Sequence, residues 1–266
     1  MSAGFGASIL VLSPHLDDEV VGCCAAIGRA RAAGAAVQVL HLTHGCVPRR
    51  SAWPWARGAA YDAAVAIRRA EAEAAALALD VIARGWSQRP ARGLWRDLPA
   101  AEAEVRAALA AQPADQIWVP AFEGGNPDHD GANAIASRFA AEGLSVLEFA
   151  EYNLAGGKPR SHEFPTTTGA EVTLTLTDAE RAFKRAALDI YASERGNLGY
   201  VGVDREVYRP LPAHDYAAPP HPGQLWWARF QWSPLRHPMI DFTAPAEVSA
   251  ALAAYVGADR VAAAKL

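Results

Sequence analysis

The stretch Ile9-Leu10-Val11-Leu12-Ser13-Pro14-His15-Leu16-Asp17-Asp18-Glu19-Val20-Val21-Gly22 decides how this chain folds. Its apolar run reads as a buried strand, Ser13-Pro14 interrupts the run, and a helical pattern follows at once. The break carries His15, Asp17, Asp18 and Glu19. An open α/β sheet puts its ligand site at the carboxyl ends of its strands, and a purely packing role would call for apolar residues here. Acidic residues ahead of a helix often do no more than satisfy its first amides and its dipole. That accounts for one carboxylate, not for an imidazole followed by three acids.

Working outward, residues 7–12 form the first strand and 19–33 a helix with Val20, Cys23, Cys24 and Ile27 at helical spacing, stopped by Gly34. Residues 37–43 form a second buried strand ending in His44-Gly45. Two strands joined by one helix make a βαβ unit, hence a parallel sheet with a right-handed crossover. Residues 116–121 repeat the theme: a buried strand runs into Phe122-Glu123-Gly124-Gly125-Asn126-Pro127-Asp128-His129-Asp130, and a helix spans 131–141. Two such breaks on one parallel sheet face each other across a crevice. Further helices are expected over 59–79, 100–111 and 246–255, and further strands over 144–152 and 171–176. Thr177-Asp178-Ala179-Glu180 is a capping box that opens a helix to about 193. Residues 85–98 read as irregular, and from about 197 the chain turns rich in Pro, Tyr, Trp and His. No composition shift marks a boundary, so one α/β domain over 1–266 with a mainly parallel sheet is expected.

At 266 residues, 51% hydrophobic and 20% charged, the chain suits one sizeable globular core. A net charge of -4 gives no electrostatic footprint for nucleic acid. Three cysteines, two of them adjacent, make no disulfide framework. No secretory leader and no apolar run of membrane-spanning length are read, so a cytoplasmic protein without a transmembrane segment is expected. The aromatic, proline-rich part after 197 offers an interface for a homo-oligomer.

Two neutral imidazoles and one carboxylate make a site for a divalent transition metal with positions left open for water and substrate. His15 and Asp18 stand three apart at a helix start, close enough to share an ion, and His129 completes the set from across the crevice. Metal-bound water is acidified towards roughly pH 7, and Asp17, beside the ligands but pointing elsewhere, suits a general base. Between the two breaks, Arg49, Arg50, Trp53 and Trp55 suit either a lid that stacks on a sugar or a packed loop. On the lid reading, Trp53 and Arg49 are substrate-binding residues.

Pro14-His15-Leu16-Asp17-Asp18-Glu19 resembles the signature Pro-His-(Pro/Leu)-Asp-Asp-Glu of the PIG-L/LmbE-like de-N-acetylases, zinc-dependent enzymes that remove acetyl groups from N-acetylglucosamine-type substrates. Gly124-Gly125-Asn126-Pro127-Asp128-His129-Asp130 is similar to their Gly-Gly-His-Pro-Asp-His-Asp. Arg68-Arg69-Ala70-Glu71 resembles the family's Arg-x-x-Glu helix, and Tyr191-Ala192-Ser193-Glu194 its later Tyr-x-Ser-Gln. The resemblance implies a Rossmann-like three-layer αβα sandwich, zinc or another divalent transition metal on His15, Asp18 and His129, Asp17 as the base, and Arg68 near the substrate. The implied partner is a small N-acetylated sugar or glycoconjugate. Asn126 departs from the pattern, standing where the family carries a histidine. Asparagine can donate a hydrogen bond to an oxyanion but cannot deliver a proton at neutral pH. His44, where Thr-Asp-Gly is common, is a candidate to return an imidazole to the site. Asp80 replaces a glycine and Glu194 a glutamine. Two other classes fit the same residues: a non-haem iron enzyme built on a facial triad, and a relative that binds metal and sugar without turnover.

Overall fold

The computed structural model describes residues 4–263 apart from 236 and 239, with backbone only from 259 onward. In chain order the elements are β1 (Ser8–Ser13), α1 (Asp18–Ala32), β2 (Ala36–His41), α2 (Ala59–Ala78), β3 (Ile82–Trp86), α3 (Leu98–Ala111), β4 (Gln116–Pro120), α4 (Pro127–Ala141), β5 (Ser145–Phe149), the short pair β6 (Tyr152–Asn153) and β7 (Arg160–Ser161), β8 (Val172–Thr175), α5 (Asp178–Ile190), β9 (Arg205–Pro210) and α6 (Pro245–Ala263). Seven strands form one sheet in the order β3-β2-β1-β4-β5-β9-β8. The first five are parallel, β9 runs antiparallel to β5, and β8 runs antiparallel to β9.

Side-chain alternation along the strands builds the two outer layers. Leu10 and Leu12 of β1, with Ile117 and Val119 of β4, pack against Leu98, Val105, Ile135, Phe139 and Leu252 of α3, α4 and α6. Ile9, Val11 and Trp118 face the other way, onto Val20 and Ile27 of α1, Ala72 and Ala75 of α2 and Ala187 of α5. The result is the expected three-layer α/β sandwich. Chain direction across the sheet reverses between β1 and β4, so the loops after these two strands open a crevice at their carboxyl ends. No helix among the described residues is long and apolar enough to cross a membrane.

Helix α1 is not continuous. Cys23 leaves the helical region at φ -144°, ψ 26°, and two buried side chains splice into the hydrogen-bond ladder at the break. Both Glu206 oxygens accept from the freed amides of Ala25 and Ala26 at 2.9 Å. The Lys184 ammonium, fully buried, donates to the Val21 carbonyl and to Glu206, each at 2.8 Å.

Several boundaries differ from the sequence reading. Helix α4 starts at Pro127, so Asp128, His129 and Asp130 lie in its first turn rather than in a loop. The irregular stretch expected over 85–98 shrinks, because β3 occupies Ile82–Trp86 as an edge strand. Strand β9 was not anticipated; its inward positions include Glu206 and Arg209, each 1% exposed, which hides the apolar alternation that marks a strand.

Candidate active site

The first loop is held from three sides. Ser13 Oγ lies 2.6 Å from the His15 carbonyl and 2.8 Å from Glu19 Oε2. Thr43, just after β2, donates its hydroxyl to the Pro14 carbonyl at 2.7 Å. Asp18 curls back so that Oδ2 accepts the His15 amide at 2.6 Å. Glu19 turns away from the crevice, accepts the Tyr191 hydroxyl at 2.9 Å and is 1% exposed. The third acid of the motif is therefore a brace.

The second loop is pinned by buried carboxylates. Asp130 Oδ1 accepts the amides of Glu123 and Gly124 at 3.2 Å, and Glu123 Oε1 accepts those of Glu151 and Tyr152 at 2.7 and 3.0 Å. Burial pushes the Glu123 carboxyl up to about 8 and that of Asp130 up to about 7. A Cβ on Gly125 would stand 2.5 Å from the Tyr152 carbonyl oxygen, so this position admits only glycine. Asn126 caps α4, its Oδ1 accepting the Asp128 amide at 3.0 Å, which leaves its NH2 as the donor end.

These two braced loops bring His15, Asp18 and His129 together, with donor atoms all within 4.8 Å of one another. His129 Nε2 is 3.2 Å from both His15 Nδ1 and Asp18 Oδ1, and His15 Nδ1 is 3.5 Å from Asp18 Oδ2. Four-coordinate zinc with bonds of about 2.0–2.2 Å sets its donors about 3.3–3.6 Å apart, close to the spacing of the two imidazoles and of each imidazole from one of the two Asp18 oxygens. On its far side His15 Nε2 meets Asp128 Oδ2 at 3.2 Å, the outer carboxylate that fixes which ring nitrogen faces the centre. Asp128 is fixed in turn by the amides of Arg92 and Leu94. Burial opposes charge on His15, yet Asp18 and Asp128 outweigh it and lift the imidazole to about 10. Burial likewise opposes charge on Asp18, and His129 and His15 reverse that to hold it well below the carboxylate range. A field that favours positive charge at this point suits a cation as well as a proton.

His15 and Asp18 line a cleft of about 450 Å³, together with Asp17, Arg68, Asn126 and Glu151, while His129 is fully buried behind them. Burial raises Asp17 to about 6, with Arg68 pulling the other way from 3.3 Å. Arg68, 3% exposed, also faces Glu194 at 3.6 Å and Glu71 at 3.7 Å. Ser193 closes this hub, donating its amide and hydroxyl to Glu71 at 2.9 and 2.5 Å. Three of the four sequence motifs, all but the one at 124–130, thus meet around one guanidinium.

The remaining expected residues stand apart from the cleft lining. His44 Nδ1 accepts the Cys46 amide at 3.2 Å, its ring meets Tyr61 edge-on at 6.0 Å, and burial lowers its pKa. Arg49 is engaged by Asp62 and lies over Tyr61 at 4.4 Å. Trp53, 39% exposed, stacks on Trp55 at 5.1 Å; from that loop Ala52 and Ala56 reach the cleft instead.

Glu151, Tyr152, Tyr200, Trp226, Arg229 and Asp241 line the cleft without having been singled out as site residues. Glu151 and Tyr152 follow β5 at its carboxyl end, the position that flagged the other two loops. The rest come from the irregular part after 197, where no periodicity points to them.

Residues 10–140 match the family model described as PIG-L, GlcNAc-PI de-N-acetylase. A search of curated proteins by sequence gives no match. Among solved structures, a deacetylase of the teicoplanin biosynthesis pathway is 22% identical with a TM-score of 0.62, covering 76% of this chain and 97% of its own. The A40926 pseudoaglycone deacetylase Dbv21 is 21% identical with a TM-score of 0.58, covering 79% and 100%. N,N'-diacetylchitobiose deacetylase from Pyrococcus horikoshii is 17% identical with a TM-score of 0.55, covering 78% and 84%. At these identities the likeness is one of fold. The matched residues contain both crevice loops and all three members of the His-Asp-His cluster, and residues 10–140 are a PIG-L family domain.

Proposed function

We propose that this protein is a metal-dependent hydrolase that removes the N-acetyl group of an amino sugar or glycoconjugate, releasing acetate and a free amine. The observation that carries the reading is the convergence of His15, Asp18 and His129 at zinc-compatible spacing with Asp17 beside them in the same cleft. Family membership and the deacetylase names of the structural neighbours support it.

In this reading His15, Asp18 and His129 hold a divalent transition metal, zinc by the nature of the donor set. Bound there, the ion supplies Lewis acidity towards an acyl oxygen and a water molecule. Asp17 takes the proton of the attacking water. Arg68 orients Asp17 and keeps enough positive charge beside it for the carboxylate to persist. The Asn126 NH2 donates to the oxyanion that forms as water adds to the carbonyl. The cleft admits a sugar-sized ligand, with Tyr152, Tyr200 and Trp226 offering aromatic surface.

The deciding experiment joins metal analysis of the purified protein with acetate release over a panel of N-acetylglucosamine conjugates. About one equivalent of metal and acetate-releasing turnover are expected; Asp17→Asn should keep the metal and lose turnover by about a hundredfold or more. Undiminished turnover in Asp17→Asn overturns the base assignment. Ligand binding without acetate release from any conjugate overturns the hydrolase reading.

A further inference from the structure

Among the described residues three arginines line the cleft, and their surroundings differ. Arg68 is hedged by Asp17, Glu71 and Glu194, and Arg92 has Asp241 at 3.8 Å. Among the described residues, Arg229 has no carboxylate within ion-pair distance. Its guanidinium sits 4.3 Å over the Trp226 ring and 4.6 Å over the Phe230 ring, and one of its N–H groups donates to the Trp226 carbonyl at 2.6 Å. Among the described residues the remaining donors of the fork have no protein acceptor. A half-buried cation held over two rings, with donors left to the cleft, is placed to receive an anion.

The position is linked to the reaction centre by a short run of rings. His129 meets Tyr152 at 5.6 Å, Tyr152 meets Trp226 at 5.3 Å, and Arg229 lies on Trp226. A sugar whose acyl group lies at the His-Asp-His cluster therefore points its remaining substituents along this wall. Two aromatic faces and a backbone carbonyl hold the guanidinium still, so little ordering is needed when a planar or tetrahedral anion docks on it.

We propose that Arg229 forms an anion subsite that binds a carboxylate or phosphate carried by the amino-sugar substrate away from its N-acyl group. This deepens the hydrolase reading, on which the identity of the ligand as a substrate rests; the subsite itself is tested without any reaction. Calorimetry on the metal-loaded protein at low salt compares methyl glucoside, glucose 1-phosphate and methyl glucuronide, none of which has a scissile amide. At least one anionic probe is expected to bind tenfold or more tightly than the neutral one, a charge-assisted hydrogen bond being enough for that ratio. The phosphate and carboxylate arms identify the anion. Arg229→Gln should bring the ratio to within about twofold, while Arg229→Lys, which keeps charge but not the fork, should retain part of it. Equal affinity for all three probes in the wild type, or no measurable binding of any, overturns the subsite, and this holds even if the variants fold poorly. An anion preference that survives intact in Arg229→Gln also overturns it, because the anion then binds elsewhere, at the metal above all. Acetate release from N-acetylglucosamine 1-phosphate is followed in parallel; its absence bears only on the hydrolase reading.

Discussion

Asn126 spends its carboxamide oxygen on the Asp128 amide as the cap of α4, which leaves it a donor for an oxyanion and no proton for a leaving amine. Asn126→His restores a group that can deliver one. Turnover is expected to rise tenfold or more, since a positioned general acid contributes about 10²- to 10⁴-fold. The lost cap should cost about 1 kcal/mol in denaturant unfolding. Steady-state acetate release checks the first figure, and an unchanged rate would assign proton delivery to another residue. The convergence of His15, Asp18 and His129 was legible because imidazole and carboxylate at a strand-helix break have few other uses. Arg68 was legible only through its resemblance to a family pattern, and its ring of three acids was not. Arg229 and Asp241 were not legible, because a lone charge in an aperiodic stretch gives no sign of what it faces until the chain is folded.

Helix α5 shows how one side chain serves two elements. Glu180 accepts the Thr177 amide at 2.8 Å, completing the capping box, and takes both Arg29 N–H groups from α1 at 2.7 and 2.8 Å. Arg29 and the cap draw its carboxyl down to about 2. A depressed folded-state pKa means the unfolded chain binds the proton more tightly, so the stabilisation is present above the unfolded value near pH 4.5 and is lost as pH falls towards 2. Glu180→Gln should destabilise by about 1 kcal/mol at pH 7, and wild type and variant should converge near pH 2–3; urea unfolding at the two pH values checks this. The capping box was readable in four residues because it is a local hydrogen-bond exchange. Strands β3 and β9 escaped for the opposite reason. Arg84 and Gly85 interrupt the first, an edge strand, and the second buries charged groups whose partners are distant in sequence.

Across the whole molecule, the crevice joins two braced loops that are linked to each other through His15, Asp18, Asp128 and His129. An ion held by both loops binds the folded state only, so it stabilises by mass action. At a thousandfold excess over its dissociation constant it adds about 4 kcal/mol, worth roughly 8 °C or more for a chain of this size. Scanning calorimetry should show that rise on adding zinc to chelator-treated protein, and little of it in Asp18→Ala; equal shifts in both would place the ion elsewhere. The three-layer architecture was readable from the repeated strand-break-helix theme. The antiparallel edge β9-β8 was not, because only long-range pairing creates it.

The splice in α1 bears on how the chain can be divided. Residues 10–140 contain all three members of the His-Asp-His cluster, yet Lys184 and Glu206, which close the broken ladder of α1, lie far beyond them. Cut at 140, the fragment would leave two amides and a carbonyl open in an apolar layer. The half that carries the chemistry is therefore not a portable module: it cannot be excised, grafted or swapped between relatives unless the recipient brings its own buried lysine-glutamate pair.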